Sequence, residues 1–477
     1  METRIEYDSI GSMKVPMNAY YGVQTLRANN NFHITNRTLH TDLIVSLAEI
    51  KKSAAITNRD ANELEPEIAN AIIAACDEII SGKLHNQFIV DPIQGGAGTS
   101  ANMNANEVIA NRAIELLGGV KGNYNIVHPN DHVNMSQSTN DVFPTAGKLA
   151  TLKMLPKAIS ELNRLYNALE LKSFEFDNII KMGRTQLQDA VPIRLGQSFG
   201  AFASMIKRDI NRLNITESEM LTLNIGATAI GTSINVSPEY LSNITSNLKK
   251  VTGFNVVQAD DLIDATQNLD GFVSVSGALK TCAVNLSKMA NDLRLLSSGP
   301  KTGIGEINLP AKQNGSSIMP GKINPVIPEV VSQVAFNIIG NDFTITMAAE
   351  AGQLELNAFE PVLFYNLFES IETLRNAAMT FVDNCISGIT ANKERCEELL
   401  NSSVGIVTAL CPYLGYKKSA DIAKEALKTG ISVKEIVLKE GLLTSEDLVQ
   451  ILDPISMTKA NNFSTNDDRL KLDRRAI

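Results

Sequence analysis

From Phe272 to Leu296 the apolar residues fall at Phe272, Val275, Leu279, Cys282, Leu286, Met289, Leu293 and Leu296, in alternating steps of three and four. That spacing keeps one stripe on one face of a helix and predicts a single rod roughly 37 Å long, at about 1.5 Å per residue. Gly299-Pro300 predicts its end. A stripe of that length must be covered by other long helices, often those of other subunits. The sequence supplies more of them, in runs that follow Pro144, Leu195, Pro328 and Pro361, with a second stripe at Ile159, Leu162, Tyr166 and Leu169. The fold predicted is mostly α, with a helical-bundle core that oligomerises.

The flanks read differently. Residues 1–140 are shorter-ranged and mixed but mainly helical, with short strands possible at stretches such as "QFIVD"; residues 141–395 hold the bundle; residues 396–477 form a small helical domain. In that last part "SVKEIVLKEGLLTSEDLVQIL" resembles a helix-turn-helix, and the polar end "NNFSTNDDRLKLDRRAI" is expected to fray.

Composition removes several function classes. With 43 basic and 52 acidic residues, a net charge of −9 and no Lys/Arg-rich run, nucleic acid and anionic membrane are poor partners. The opening "METRIEYDSIGSMK" has no apolar core of the kind a signal peptide needs, and no apolar run approaches a membrane span. Five scattered cysteines fit a reducing compartment, so the expected location is the cytoplasm. All five histidines lie at or before position 132, there is no HExxH, and "PND" separates His128 from His132. No metal site and no cofactor are expected.

Three stretches rich in Ser, Thr and Asn interrupt the helices: "GGAGTSANMNANE" (95–107), "SQSTNDVFPT" (136–145) and "NGSSIMPGKIN" (314–324). The first satisfies a GxGxxA pattern, yet no second strand with a terminal acidic residue follows it, which argues against a dinucleotide fold. The third is not a phosphate loop: five residues separate Gly315 from Gly321, and Ile323 follows Lys322 where a magnesium-binding hydroxyl would be needed. Taken one at a time, Thr99 or Ser100 and Ser138 read as helix caps and Lys322 as an exposed lysine. Taken together, the stretches supply hydroxyls, amides, helix N-termini and one prominent cation, with few carboxylates. That inventory suits a small dianion and chemistry that builds negative charge on a carboxylate. The third stretch lies in a region, 299–327, without clear secondary structure, a length of loop that is usually functional.

"GSSIMPGKIN" resembles the signature of the fumarase/aspartase superfamily, and "TSANMNANEVIANR" and "SQSTNDVFPT" resemble its two other shared segments in the expected order. "YYGVQT", "KMGRTQLQDA" and "NDLRLLSSGP" fit as well. The resemblance implies a three-domain, mostly helical subunit in a homotetramer with a twenty-helix core, in which each site draws on three subunits. It implies release of fumarate from a dicarboxylate by loss of a group β to a carboxylate. Between loss of ammonia from L-aspartate and loss of water from L-malate, as in class II fumarases, the first is expected. Gln186 stands where fumarases carry a histidine, and "NPVIPE" where they resemble "NPTQCE". "HPND" from His128, which resembles a second anion site of fumarases, leans the other way.

By the same resemblance Ser316 is the general base that takes the Cβ proton. Lys322, Thr185 and Asn324 hold the α-carboxylate. Thr99, Ser138, Thr139 and Ser317 donate to the β-carboxylate as it becomes an enediolate, and Asn140, Gln186 and Thr99 hold the α-ammonium. A serine hydroxyl is too weak an acid to ionise unaided, so the loop is expected to stabilise its anion with backbone N–H groups and a nearby positive charge, for which Lys322 is a candidate.

Overall fold

The computed structural model describes residues 2–459 and is mostly α-helical. The polar end that was expected to fray lies outside the described residues. The stripe from Phe272 sits in a helix Asp270–Leu296, and Phe272, Val275, Leu279, Cys282, Leu286, Met289 and Leu293 are all buried. Four more long helices join it: Thr139–Glu175, Leu195–Met220, Val326–Glu350 and Glu360–Asn384. In the first of these the stripe is refined, because Leu165 is buried alongside Leu162 and Leu169 while Ile159 and Tyr166 are only half-buried.

The chain divides into two compact units. Among the described residues, one comprises the chain up to Glu161, Asp209–Val284 and Gln333–Ala377; the other comprises Leu162–Arg208, Asn285–Ser332 and the chain from Ala378 on.

The first unit opens with a hairpin, Thr3–Asp8 against Gly11–Pro16, followed by helices Val23–Asn31, Thr41–Asp60, Pro66–Ile80 and Thr99–Leu116. "QFIVD" is not a strand. One side chain from another element takes two of its backbone groups: Asn104 Oδ1 accepts the Ile89 N–H at 3.0 Å, and Asn104 Nδ2 donates to the Gln87 carbonyl at 2.9 Å. Phe88 and Val90 still enter the core. The helix from Val23 has no capping side chain of its own. Buried Glu107 caps it from another helix, accepting the N–H groups of Gly22, Gln24 and Thr25 at 2.8, 2.9 and 3.0 Å. Burial raises the Glu107 carboxyl above the usual carboxylate range despite these bonds.

The second unit contains a further hairpin, Ile180–Thr185 against Gln188–Arg194. Its C-terminal part is short helices, as expected, around a core of Leu410, Ile422, Val433, Ile436, Val437 and Leu448. Ser432 with Glu435 and Thr444 with Asp447 form two capping boxes, which explains why this stretch reads so plainly as helix, turn, helix. The region after Leu296 is free of helix up to Val326, and its one strand, Ile307–Asn308, pairs with Thr390–Ala391.

Candidate active site

In the first unit two helix N-termini carry the candidate residues. Thr99 begins the helix Thr99–Leu116, but neither it nor Ser100 is the cap. The cap is Gly98, left-handed at φ 86 and without a side-chain bond. A Cβ at 98 would meet the Phe143 ring at 2.3 Å, so both backbone geometry and space exclude other residues. The Thr99 hydroxyl donates to the Gly96 carbonyl at 2.7 Å. Ser138 does cap its helix, with Oγ accepting the Asn140 N–H at 3.2 Å while Asp141 Oδ1 accepts the Ser138 N–H at 2.9 Å.

The two N-termini are tied together by Asn102 Nδ2, which donates to Thr139 Oγ1 at 3.2 Å and to Asn134 Oδ1 at 3.1 Å. Asn134 Oδ1 also accepts from Asn106 Nδ2 at 3.1 Å and from buried Lys51 Nζ at 2.8 Å. Burial pulls the Lys51 ammonium down to about 7 and pushes the Asp141 carboxyl up to about 6, each opposed by the other's charge.

A segment that no sequence motif singled out, Asn224–Gly231, holds this region. Asp141 Oδ2 accepts the N–H groups of Gly226 and Thr228 at 3.0 and 3.1 Å, and Asn140 Nδ2 donates to the Ala229 carbonyl at 2.7 Å. Pro144 lies inside the helix and has no N–H, which frees the carbonyl four residues earlier, that of Asn140. Asn224 Nδ2 takes it at 3.0 Å. Nearby, His128 Nδ1 accepts the Asn130 and Asp131 N–H groups, and His132 Nδ1 accepts the His128 N–H at 2.9 Å, so both rings serve the backbone of the turn Pro129–Val133.

In the second unit Thr185 and Gln186 lie at the tip of the hairpin 180–194, and both are exposed. Gln186 and Leu187 form a two-residue turn with φ of 54 and 63, the geometry usually given to Asn-Gly. Two non-glycine residues held there cost on the order of 1–3 kcal/mol each, strain that clusters at working sites. Thr185 and Gln186 also line a cavity of about 750 Å³ with Lys181, Arg184, Ile304 and Leu296.

The loop 314–324 closes on itself. The Gly315 N–H donates to the Lys322 carbonyl at 2.8 Å, and Asn324 Nδ2 donates to the Gly315 carbonyl at 2.7 Å. Ser316 Oγ accepts two backbone N–H groups, from Ile318 at 3.2 Å and Met319 at 3.0 Å. Those are donors of the kind an alkoxide needs. Ser317 and Lys322 are exposed, and among the described residues the Lys322 ammonium has no hydrogen-bond or ion-pair partner. The backbone N–H groups, rather than Lys322, are therefore the groups in contact with Ser316 Oγ. Among the described residues no group of three or more His, Cys, Asp and Glu is arranged to hold a metal ion.

A family model described as lyase matches residues 11–340, and one described as fumarase C C-terminus matches residues 406–459. The chain is 54% identical over 457 residues to an aspartate ammonia-lyase of Bacillus sp, covering 96% of this chain and 98% of that one. Its fold matches a fumarate lyase:delta crystallin from Brucella melitensis with a TM-score of 0.93 and 50% identity, covering 96% and 100% of the two chains. It matches a recombinant class II fumarase from Schistosoma mansoni with a TM-score of 0.93 and 36% identity, covering 96% and 99%. With its two polar helix ends, its serine-bearing loop and these matches along nearly its whole length, the chain belongs to the lyase family, within the fumarase/aspartase superfamily that its loop sequences resemble.

Proposed function

We propose that this protein is an aspartate ammonia-lyase, a carbon–nitrogen lyase that reversibly converts L-aspartate to fumarate and ammonia. The observation that carries the reading is identity above half, over nearly the full chain, to aspartate ammonia-lyases, against 36% to the class II fumarase. Gln186 at the turn supports it, since ammonia is a good leaving group once the enediolate has formed and needs no histidine acid.

In this mechanism Ser316, as alkoxide, removes the Cβ proton. The Ile318 and Met319 N–H groups at its Oγ support the anion. The C–H electron pair moves into the β-carboxylate, giving an enediolate whose charge is met by Thr99, Ser138, Thr139 and Ser317 at or near helix N-termini and in the loop. Collapse of the enediolate forms the Cα–Cβ double bond and breaks the C–N bond of the α-ammonium, held until then by Asn140, Gln186 and Thr99, so that neutral ammonia leaves. The departing ammonia takes up the proton that Ser316 removed, becoming ammonium and regenerating the Ser316 alkoxide. Lys322, Thr185 and Asn324 hold the α-carboxylate throughout, and an exposed, unpaired Lys322 is free to reach it.

The same reading gives a three-domain subunit (1–140, 141–395, 396–477) and a homotetramer whose sites take residues from three subunits. Exposed apolar residues along Val326–Glu350, among them Val330, Phe336, Phe343 and Met347, are a face that other subunits would cover. Among the described residues no single helix is long and apolar enough to cross a membrane. A cytoplasmic location accords with the free cysteines. The test is the ultraviolet absorbance of fumarate, followed with L-aspartate and separately with L-malate. Fumarate from malate alone would overturn the reading.

A further inference from the structure

Glu306 is 0% exposed, and nothing in the mechanism uses it. It lies in the stem of the Ser316 loop, and its backbone is fixed on both sides: its N–H donates to the Leu296 carbonyl, and its carbonyl accepts the Asn392 N–H, both at 2.9 Å. Arg395 holds the same stem through the Ile304 and Gly303 carbonyls, each at 3.1 Å. The side chain points to a different element. Oε1 lies 2.9 Å from Arg184 Nη1, and Oε2 lies 3.0 Å from Lys181 Nζ. The second contact is an ion pair, since Glu306 Oε2 accepts no hydrogen bond, and the Lys181 ammonium also donates to the Met182 carbonyl at 2.8 Å.

Lys181 and Arg184 are three apart on one strand, so a regular pleat would send them to opposite faces. The pairing around them is not regular. It slips between Met182 and Arg184, where two steps on this strand face three on its partner, from Pro192 to Asp189, and at Gly183 a Cβ would meet the Val191 carbonyl at 2.6 Å. Across this irregularity both cations nevertheless meet one carboxylate. The residues that follow Arg184 are Thr185 and Gln186.

We infer that Glu306 is a positioning residue for the elimination: by clamping Lys181 and Arg184 it fixes the strand that ends in Thr185–Gln186 against the stem of the loop that carries Ser316. The inference rests on the roles proposed above for Thr185, Gln186 and Ser316. One carboxylate then sets the placement of a substrate-binding turn and of a base, whether the two serve one site or neighbouring sites of the assembly. A displacement of about 1 Å at such groups costs on the order of a hundredfold in rate.

The test is Glu306→Asp, which keeps the charge and withdraws it by one methylene, with Glu306→Gln and Arg184→Lys beside it, each assayed as the full-length assembled enzyme. A merely structural defect removes active molecules and lowers kcat with KM unchanged, whereas a displaced Thr185–Gln186 turn weakens ground-state binding as well. The expected result for Glu306→Asp is kcat lower by about tenfold or more together with KM higher by about threefold or more, at native helix content and assembly state. Arg184→Lys, which keeps the charge and loses the fork, should raise KM in the same direction. If Glu306→Gln fails to fold, the two charge-conserving variants decide. An unchanged KM in either folded charge-conserving variant overturns the inference, as does failure of both to fold. The wild-type assay separates the two failures: no fumarate from aspartate sinks the proposed function, and normal wild-type turnover with an unmoved KM in the variants sinks the clamp alone.

Discussion

Gly315→Ala separates placement of the proposed base, Ser316, from stability of the fold. A Cβ at 315 would lie 2.6 Å from the Lys322 carbonyl oxygen and 2.8 Å from the Asn324 N. Both are backbone atoms, so no side chain can swing away to make room. Ordinary contact needs roughly 3.4 Å or more, so the loop must open by somewhat under 1 Å across the bond from the Gly315 N–H to the Lys322 carbonyl. That bond closes the loop around Ser316, and a shift of that order in a reacting group costs on the order of a hundredfold in rate. The loop itself is exposed, with Ile318 at 84%, so little buried surface is at stake and Tm should fall by only a few degrees. The assay is the initial rate of fumarate formation with L-aspartate, alongside a thermal melt. Gly321→Ala is the control: its φ of +79 carries the left-handed penalty, about 1 kcal/mol, but nothing lies within 4 Å of the added carbon. A Gly315→Ala enzyme that keeps kcat within about twofold of wild type, or that loses activity only in step with Tm, would show that this bond does not place Ser316.

Ser316→Ala should lower kcat by orders of magnitude with KM nearly unchanged, because the base acts in the transition state; a mutant keeping more than about a tenth of the activity removes Ser316 from that role. Lys322→Ala should chiefly raise KM by deleting a charge-assisted bond to the bound carboxylate, and an unmoved KM places Lys322 outside the site. Burial lifts the Asp141 carboxyl from 3.8 to about 6, so its favourable contribution is complete below 3.8 and is lost as pH rises through about 6, up to roughly 3 kcal/mol. The Tm deficit of Asp141→Asn relative to wild type should therefore shrink over that rise, and a deficit constant with pH would contradict the assignment. Ser138→Ala and Ser316→Ala, unfolded together and reassembled, should recover about a quarter of the wild-type sites if sites are shared among the subunits of a tetramer; a mixture that demonstrably exchanges subunits and stays inactive rules sharing out.

The long helices were legible because their signal is local and repeated: a stripe such as Phe272 to Leu293 is written at every turn, and its burial follows from periodicity alone. The C-terminal helices were legible for a related reason, since each capping box lies within four residues. The hairpin that carries Thr185 and Gln186 was not. Its turn residues are Gln and Leu at positive φ, where local chemistry calls for Asn and Gly, and its bulge breaks the alternation by which a strand is recognised. The buried carboxylates were invisible for a third reason. Glu107, Asp141 and Glu306 each bond to groups far along the chain, Gly22 in one case, Gly226 and Thr228 in another, Lys181 and Arg184 in the last. Single-sequence patterns carry no information about such pairings.

These three carboxylates share a logic that bears on how the site works. Each is desolvated, which is unfavourable for a charge, and each is placed where it fixes backbone or cations beside a motif rather than inside it. Glu107 caps the helix that follows "YYG", Asp141 joins the Ser138 helix to the Asn224–Gly231 segment, and Glu306 joins the Ser316 stem to the 180–194 strand. The candidate groups for the β-carboxylate and the ammonium are by contrast neutral and exposed or half-exposed: Thr99, Ser138, Thr139, Asn140, Gln186 and Ser317. A site for a dianion that gains charge during reaction must keep carboxylates away from the bound substrate. Holding them one layer back, neutralised by N–H groups or cations, lets the chain use their rigidity without their repulsion.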